Sequence, residues 1–449
     1  MESAPVNPVE WLVATIKDPP NGDDDSAKSC TPAHVPRPEP FNPHSEPFSG
    51  LSMLTVAWLR RLRLLRQSRP EVARRDTPVR VLVNGIHANS GGAVTYLNNI
   101  LPLLAADPNV DVHLCVRESQ PMLLDKLPDQ VTCHVINVRS NLLSVLIREQ
   151  IDIPRLARRI GSDVVFSPAN YGPILAPGLV ILLRNALDVG KYDRRPNRRV
   201  YWLLHLLATV ISVLVCRRSI AVSDYARRMI PFPFSRKALR SAVIPHGINP
   251  MFSPRANDDD EIRTNECLLS VSDVYIQKNY LTLINAFEIL HQRYPTLRLQ
   301  IVGTWLDHEY LAELQNLAEK RGVSDFVEFL GKCSPQELVM LYRDCKVFVF
   351  PSFVETFGQP LVEAMACGAA IASSNTAAMP EVLGDAAIYF DPFDAGAIAD
   401  TVSRILDDPD LCHELKIRAS VQIQKYSWST TAQHTLKIIR DAASIYKNK

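Results

Sequence analysis

From Val79 onward, short apolar runs alternate along the chain with segments of helical period. Runs such as VRVLVN, VDVHLCV, VTCHVINV, DVVFSP, LVILLRN and SIAVS are typical of buried strands, whereas AVTYLNNILPLLA and the segment from Leu142 to Ile160 are typical of helices. The sequence GIHANSGG between the first strand and the first helix predicts a loop. Strands that alternate with helices indicate an α/β fold with a parallel sheet.

The second half of the chain repeats this alternation after a polar stretch from Ser253 to Glu266. Its predicted strands are CLLSV, LRLQIVG, FVEFLG, KVFVFPS, AAIAS and AAIYF, and its predicted helices include YLTLINAFEILHQRY, EYLAELQNLAEKRG and PLVEAMACG. Ser334 and Glu337 in SPQE form a capping-box pattern that predicts a further helix start. A length of 449 residues suggests more than one core. We therefore predict domains over 77–250 and 251–426, and a final helix over 427–449 that returns toward the first domain.

One long apolar segment, Val200 to Cys216, interrupts the pattern in the first domain. Only His205, Thr209 and Ser212 are polar in it, so its length and composition are at the short edge of what spans a bilayer. Arginines flank both ends and give no orientation signal. Because a strand of the same domain follows directly, we expect a buried or interfacial helix rather than a spanning one.

Residues 1–76 have a different composition from the rest, with a proline-rich run and an acidic NGDDD patch. This composition favours extended, unpacked chain. Within it, the segment from Leu51 to Arg66 predicts a basic amphipathic helix, which suits either a membrane interface or packing against the remainder of the protein.

The net charge of +1 gives no reason to expect nucleic acid as a partner. Between Arg184 and Arg240, however, thirteen Lys and Arg residues stand against Asp188, Asp193 and Asp224. This local surplus fits an anionic acceptor or an acidic lipid surface, or a solvated basic face. The nine cysteines are scattered and show no metal spacing, and the N-terminus lacks a signal-peptide pattern. We expect a cytoplasmic protein, located on the cytoplasmic face of a membrane if the basic segments bind lipid.

The candidate chemistry is concentrated in PSFVETFGQPLVEAMACG. A buried strand ends at Phe350, a turn follows, and Pro360 suits a helix start. Ligands of open parallel sheets bind beyond the carboxyl ends of the strands, and free amides at a helix start bind anions such as a diphosphate. Glu355 precedes this helix and Glu363 lies one turn inside it. Two carboxylates beside an anion cradle suggest a ligand with both phosphate and hydroxyl groups, although an acidic pair can also complement a helix dipole.

These residues resemble the Glu-x7-Glu motif of the family 4 retaining glycosyltransferases, which have the GT-B fold of two facing Rossmann-like domains. In this chain the motif is Glu355-TFGQPLV-Glu363. The similarity extends to SNTAAMPEVLGDAAIYFDPFD, VFVFPS, VIPHGINPMFSP and YSWSTTAQHTLKIIRDAASIY, and covers roughly residues 79–447. The resemblance implies a hexosyl transfer from a nucleotide-sugar to a glycan or lipid-linked acceptor, and a serine-containing pattern near residue 272 is similar to that of mannosyltransferase-like members.

The resemblance also assigns roles to individual positions. It implies that Glu355 approaches the transferred sugar and that Glu363 holds the ribose. The backbone of the helix start and the N-terminal glycine pair would contact the diphosphate; these positions are Phe357, Gly358, Gln359 and Leu361, with Gly91 and Gly92 opposite. The family commonly has a Gly-Arg pair where this chain has Ser272 and Asp273, which leaves Lys278 as the principal cation.

Other assignments depend on position alone. His87, Arg184 and Asn185 follow predicted strands of the first domain and are candidates for sugar or acceptor contacts, although structural roles fit them equally. No Asp-x-Asp stands at a plausible strand end, so we expect neither a metal nor another cofactor. Two alternative functions stay open: a GT-B sugar-nucleotide epimerase, and a degenerate, non-catalytic sugar-binding subunit, the latter suggested by Asp273.

Overall fold

The computed structural model describes residues 77–88, 91–120, 127–138, 142–193, 195–230, 240–255 and 266–447, and the first half is built on a parallel sheet. The sheet has seven strands: β1 (Val79–Asn84), β2 (Val110–Arg117), β3 (Thr132–Ile136), β4 (Val164–Ser167), β5 (Val180–Leu183), β6 (Arg218–Ala221) and β7 (Ala242–Val243). Their order is β3-β2-β1-β4-β5-β6-β7, and all pairs are parallel. Strands β4 and β5 are buried along their whole length, as expected for parallel strands covered on both faces.

In the described residues, four helices connect these strands: α1 (Gly91–Ala105), α2 (Leu142–Arg159), α3 (Pro196–Val215) and α4 (Asp224–Arg228). The chain leaves β1 toward one side of the sheet and returns to β4 on the other side. The carboxyl ends of β1 and β4 therefore form a switch point, the place where ligands of such sheets bind. The loop that carries His87, and the start of α1, lie at this point.

The second half contains a six-stranded parallel sheet in the order β10-β9-β8-β11-β12-β13. Its strands are β8 (Cys267–Val271), β9 (Arg298–Val302), β10 (Val327–Gly331), β11 (Val347–Phe350), β12 (Ile371–Ser374) and β13 (Ile388–Phe390). Its helices are α5 (Tyr280–Arg293), α6 (His308–Lys320), α7 (Pro335–Asp344), α8 (Gln359–Ala366), α9 (Met379–Leu383), α10 (Ala395–Asp407) and α11 (Pro409–Gln422). Its switch point lies between β8 and β11, where the loops that carry Lys278 and Glu355 begin.

The predicted α/β fold with two parallel sheets is confirmed. Apolar runs in the sequence mark the long strands correctly, and the predicted capping box forms at the start of α7: Glu337 N donates to Ser334 Oγ, and Ser334 N donates to Glu337 Oε2. The two-residue edge strand β7 was not predicted, because two residues carry no periodicity.

Helix α3 turns polar side chains toward the protein and exposes several apolar side chains to solvent. By length and composition its segment Arg198–Val215 could cross a membrane, and one third of that window is buried in the protein. The three polar residues of the apolar stretch from Val200 to Cys216 face inward: His205 and Thr209 are buried, and the buried Ser212 accepts a hydrogen bond from Gly172 N at 3.2 Å. Leucine and valine side chains occupy the solvent side, at Val200, Leu203, Leu204 and Leu207.

The last helix, α12 (Trp428–Lys447), packs on the first sheet and its helices. Arg218 Nε donates to Asp441 Oδ2 at 2.6 Å, and Thr431 Oγ1 donates to Pro245 O at 2.8 Å. Ile248 and Ser427 form an isolated parallel bridge, so the two segments that connect the halves of the molecule lie side by side. The basic segment 51–66 and the remainder of 1–76 lie outside the described residues.

Candidate functional site

The turn between β11 and α8 presents unpaired backbone amides at the edge of the second sheet. Gly358 has φ +80°, a conformation that favours glycine, and a Cβ there would lie 2.8 Å from Leu361 Cδ1. Among the described residues, the amides of Phe357, Gly358 and Gln359 have no acceptor. Since α8 begins at Gln359 and Pro360 follows it, these donors add to the positive end of the helix dipole. This part of the turn can hold an anion.

At Leu361 and Phe357 the structure differs from the predicted ligand contacts. The Leu361 amide donates to Gly358 O at 3.0 Å, so this group is already used within the helix. The Phe357 side chain is buried against the rings of His246 and Tyr426, with centroids 5.2 and 5.6 Å away. Phe357 can therefore offer its backbone to a ligand, but its ring belongs to the core.

Lys278 and Glu355 meet across the switch point and form an ion pair through Nζ and Oε1. Lys278 ends a short 3-10 turn after β8, and Glu355 lies in the turn after β11. Their side chains are 14% and 13% exposed, so this pair is largely shielded from water and a small part of each side chain remains accessible. The spacing in sequence gave no indication of this pairing.

Asn279 holds the Lys278 loop in place. It has φ +59° and is fully enclosed, and its Nδ2 donates to Pro351 O at 3.0 Å and to Pro392 O at 2.7 Å. Asparagine tolerates the left-handed conformation better than most residues. The side chain thus joins the loops that follow β8, β11 and β13 and fixes the position of the neighbouring lysine.

Glu363 lies one turn inside α8, as predicted, and accepts a hydrogen bond from Tyr342 OH at 3.0 Å. The surrounding protein desolvates the carboxyl group and raises its pKa to about 7, against which the tyrosine hydrogen bond acts. A carboxyl group with a pKa so far above its ordinary value is typical of functional sites, and also of buried structural pairs.

The N-terminal wall of the cleft is formed by the start of α1. Gly91 has φ +55°, and both Gly91 and Gly92 are exposed. A Cβ on Gly92 would lie 3.1 Å from Arg184 Nη2, and one on Gly91 would lie 3.8 Å from Asp273 Oδ2. The fold thus brings the glycine pair close to Arg184 and to Asp273, the residue that departs from the family pattern. Asp273 also accepts a hydrogen bond from Thr304 N at 3.2 Å.

The β5 loop with Arg184 and Asn185 is fixed by a residue that sequence reasoning missed. Asn170, fully buried, accepts hydrogen bonds from the amides of Arg184 and Asn185 at 2.8 and 2.9 Å and donates to Asn185 O at 2.9 Å. The Thr356 hydroxyl donates to Arg184 O from the opposite domain. A polar residue in the loop after a buried strand, here three residues after the end of β4, is the signal that could have pointed to Asn170.

His87 lies beside a second missed residue, Glu149. Their Nε2 and Oε1 atoms are 3.2 Å apart, and Glu149 is fully buried and also accepts from Asn84 Nδ2 at 2.7 Å. In α2, Glu149 stands four residues from each of the buried Val145 and Ile153. A charged residue on an otherwise apolar helix face is the sequence signal for such a partner.

Among the residues that the structure describes, no group of three or more His, Cys, Asp or Glu side chains could hold a metal ion. Metal independence of the reaction stays a prediction.

A family model for "Glycosyl transferases group 1" matches residues 255–422, which include Lys278, Glu355 and Glu363. The C-terminal domain belongs to the group 1 glycosyltransferases. Of curated relatives, the serotype-specific mannosyltransferase WbdA of Escherichia coli is 38% identical over 173 residues, which are 37% of this chain and 21% of WbdA. O-antigen chain mannosyltransferase B of Escherichia coli is 28% identical over 228 residues, 48% of this chain and 58% of the relative. The matches thus span about a fifth to three fifths of these relatives.

Solved structures extend the likeness of this group 1 glycosyltransferase domain to the whole described fold. Sucrose-phosphate synthase from Thermosynechococcus elongatus superposes with a TM-score of 0.65 and 19% identity, covering 81% of this chain and 98% of that one. Anabaena HepE, in complex with UDP and glucose, gives 0.64 and 17%, covering 80% and 98%. The predicted GT-B architecture is confirmed.

Proposed function

We propose that this chain is a retaining glycosyltransferase of the family 4 type that moves a hexosyl group from a nucleotide-sugar to a glycan or lipid-linked acceptor. The observation that carries the proposal is the convergence of Lys278, Glu355 and three free amides at one switch point. An anion cradle beside carboxylates suits a ligand that carries both a diphosphate and sugar hydroxyls.

The geometry supports a division of roles within the donor site. The amides of Phe357, Gly358 and Gln359 would bind the diphosphate, and they would stabilise the charge that develops on it as the glycosidic bond breaks. Glu363 would accept hydrogen bonds from the ribose, and Glu355 from the transferred sugar. Lys278 would bind the diphosphate through Nζ while Glu355 keeps that side chain in place.

Retention is inferred from the family resemblance together with the arrangement of carboxylates. A double displacement requires a carboxylate under the anomeric carbon. Glu355 is engaged by Lys278, and Glu363 lies inside α8 with Tyr342. We therefore favour attack of the acceptor on the same face from which the diphosphate departs, with the departing phosphate taking the acceptor proton.

Mannose is the first sugar to test, because the two curated relatives described above are named mannosyltransferases. HepE was solved with UDP and glucose, so UDP-glucose is the second donor to test. The names of these relatives favour transfer over epimerisation. Turnover of any donor in the presence of an acceptor would also exclude the non-catalytic subunit.

The deciding experiment screens GDP-, UDP- and ADP-sugars by thermal shift, because a bound donor raises the melting temperature by mass action. The selected donor is then assayed for transfer with the wild type, Lys278→Ala, Glu355→Gln and the control Glu319→Gln on α6. We expect Lys278→Ala to weaken donor binding roughly 10- to 100-fold, in line with a charged hydrogen bond of about 1.5–3 kcal/mol. We expect Glu355→Gln to lose turnover and the control to match the wild type. Equal donor affinity in Lys278→Ala and wild type would contradict the proposed site.

We also propose a peripheral position on an anionic membrane. The support is the exposed apolar stripe of α3, in which Val200, Leu203, Leu204 and Leu207 are 43–59% exposed at helical spacing. Because the polar face of α3 packs on the protein, the helix suits an interface rather than a span. The basic surplus between Arg184 and Arg240 would add electrostatic attraction to acidic lipid.

Vesicle flotation of the full chain tests this position. The change of Leu203, Leu204 and Leu207 together to Ser should abolish binding to acidic vesicles, since the buried apolar area is lost. The matched control is Ile417→Ser with Val421→Ser, two exposed apolar residues of α11 in the other domain, and it should bind like the wild type. Binding should weaken as salt rises, and the change of Arg60, Arg61, Arg63 and Arg66 to Ser, outside the described residues, should weaken it further. A wild-type chain that floats with no vesicles would remove the membrane proposal.

A further inference from the structure

The carboxylates around the anion cradle offset much of the positive charge that would favour a diphosphate there. Lys278 is already paired with Glu355, and the Asp273 carboxylate lies near Gly91 on the opposite wall. Glu363 adds a carboxyl group on the same side as the cradle. A diphosphate would thus enter a region where the lysine charge is balanced and at least one carboxylate has no cationic partner among the described residues.

Arg184, beside the glycine pair, forms no ion pair with a carboxylate in the described part of the chain. Its buried Nη1 atom has no hydrogen-bond partner in the described part of the chain. Burial lowers its pKa to about 10, and its charge interacts with the Tyr96 hydroxyl and with the His246 ring. A buried guanidinium nitrogen without a hydrogen-bond partner is costly, and an anion bound beside it would offset that cost.

The backbone of Arg184 is held from both sides of the cleft. Nη2 lies 3.1 Å from the place where a Gly92 side chain would begin, so a larger residue there would require the end of the arginine to shift by a few tenths of an ångström. Asn170 holds the Arg184 amide, and the Thr356 hydroxyl, two residues before Gly358, donates to the Arg184 carbonyl. The arginine therefore stands between the glycine pair and the β11–α8 turn.

We propose that Arg184 is a second cation for the donor diphosphate, contributed by the N-terminal domain in place of one from the β8 loop. This inference rests on the proposed donor site. Guanidinium groups bind phosphate oxygens through two parallel hydrogen bonds, which a lysine cannot reproduce. A phosphate on the acceptor has the same chemistry, so binding must be measured with the donor nucleotide alone.

The test is calorimetric titration of the full chain, without acceptor, with whichever of GDP or UDP stabilises the wild type, and with the matching monophosphate. Arg184→Gln should weaken the diphosphate about 10- to 100-fold and the monophosphate less. Arg184→Lys, which keeps the charge and protects the fold, should lie between. Arg218→Gln is the control: its partner Asp441 lies on α12, at the opposite end of the sheet, and it should bind like the wild type.

The outcomes separate the two claims. If the wild type binds neither diphosphate, the proposed donor site itself fails. If the wild type binds but Arg184→Gln and Arg184→Lys, both folded by circular dichroism, bind the diphosphate equally well, the donor site stands and the role of Arg184 is overturned. If the variants lose only affinity for a phosphorylated acceptor in a transfer assay, Arg184 belongs to the acceptor and the inference is likewise overturned.

Discussion

At the scale of single residues, Glu363 makes pH dependence a direct probe of the site. Its carboxyl pKa rises from an ordinary 4.5 to about 7 in the folded protein, chiefly through burial. Between pH 4.5 and 7 this carboxyl group is therefore protonated in the folded state and ionised in the unfolded state. The free energy of unfolding falls as pH rises through this range.

Glu363→Gln should remove this component, because the neutral amide resembles the protonated carboxyl group. Melting temperatures measured from pH 4.5 to 8 should decline more steeply in the wild type than in Glu363→Gln. Tyr342→Phe deletes the hydrogen bond that lowers the pKa, and should extend the decline to higher pH. Identical slopes in wild type and Glu363→Gln would show that this carboxyl group titrates normally.

The sequence predicted where Glu355, Glu363 and Lys278 lie in the fold but not the side chains they contact. Glu355, Glu363 and Lys278 lie where their motifs place them, because strand ends and helix starts can be recognised from local patterns. Pairing depends on contacts between segments far apart in the chain. For this reason the ion pair of Lys278 with Glu355, the burial of Glu149 beside His87 and the clamp of Asn170 became visible only in the folded chain.

At the scale of elements, Asn279 is the residue on which three loops depend. Asn279→Ala would leave Pro351 O and Pro392 O without their donor and would force alanine into a left-handed conformation. We expect a loss of about 2–4 kcal/mol in the free energy of unfolding by urea titration, together with weaker donor binding because Lys278 shifts. The exposed Asn316→Ala on α6 should change stability by less than about 0.5 kcal/mol.

Helix α3 shows where element prediction from sequence meets its limit. The apolar length of the segment identified a helix correctly, and its neighbouring strand argued against a span. Composition could not reveal that His205, Thr209 and Ser212 face the protein. That orientation follows from the position of Gly172 and its loop, which supply a partner for Ser212.

At the scale of the whole molecule, the two domains together would supply the positive groups for the departing diphosphate. The amides after β11, Lys278 and the α1 start are protein groups that need no ion. We therefore expect transfer activity to survive a large excess of EDTA. Loss of activity with EDTA that manganese or magnesium restores would reveal a metal requirement.

The chain connects the two domains twice, first near Gly247 and again near Trp428. The second connection determines where the chain can be cut into separate domains. Gly247 on the first crossing touches the second so closely that a Cβ there would lie 2.1 Å from Trp428 N. If the chain is divided between the two sheets, α12 stays with the C-terminal fragment, although this helix packs on the first sheet. Separate fragments 77–255 and 256–449 should thus be poorly soluble alone, whereas a circular permutant that begins near residue 427 and continues into residue 77 keeps α12 with its own domain.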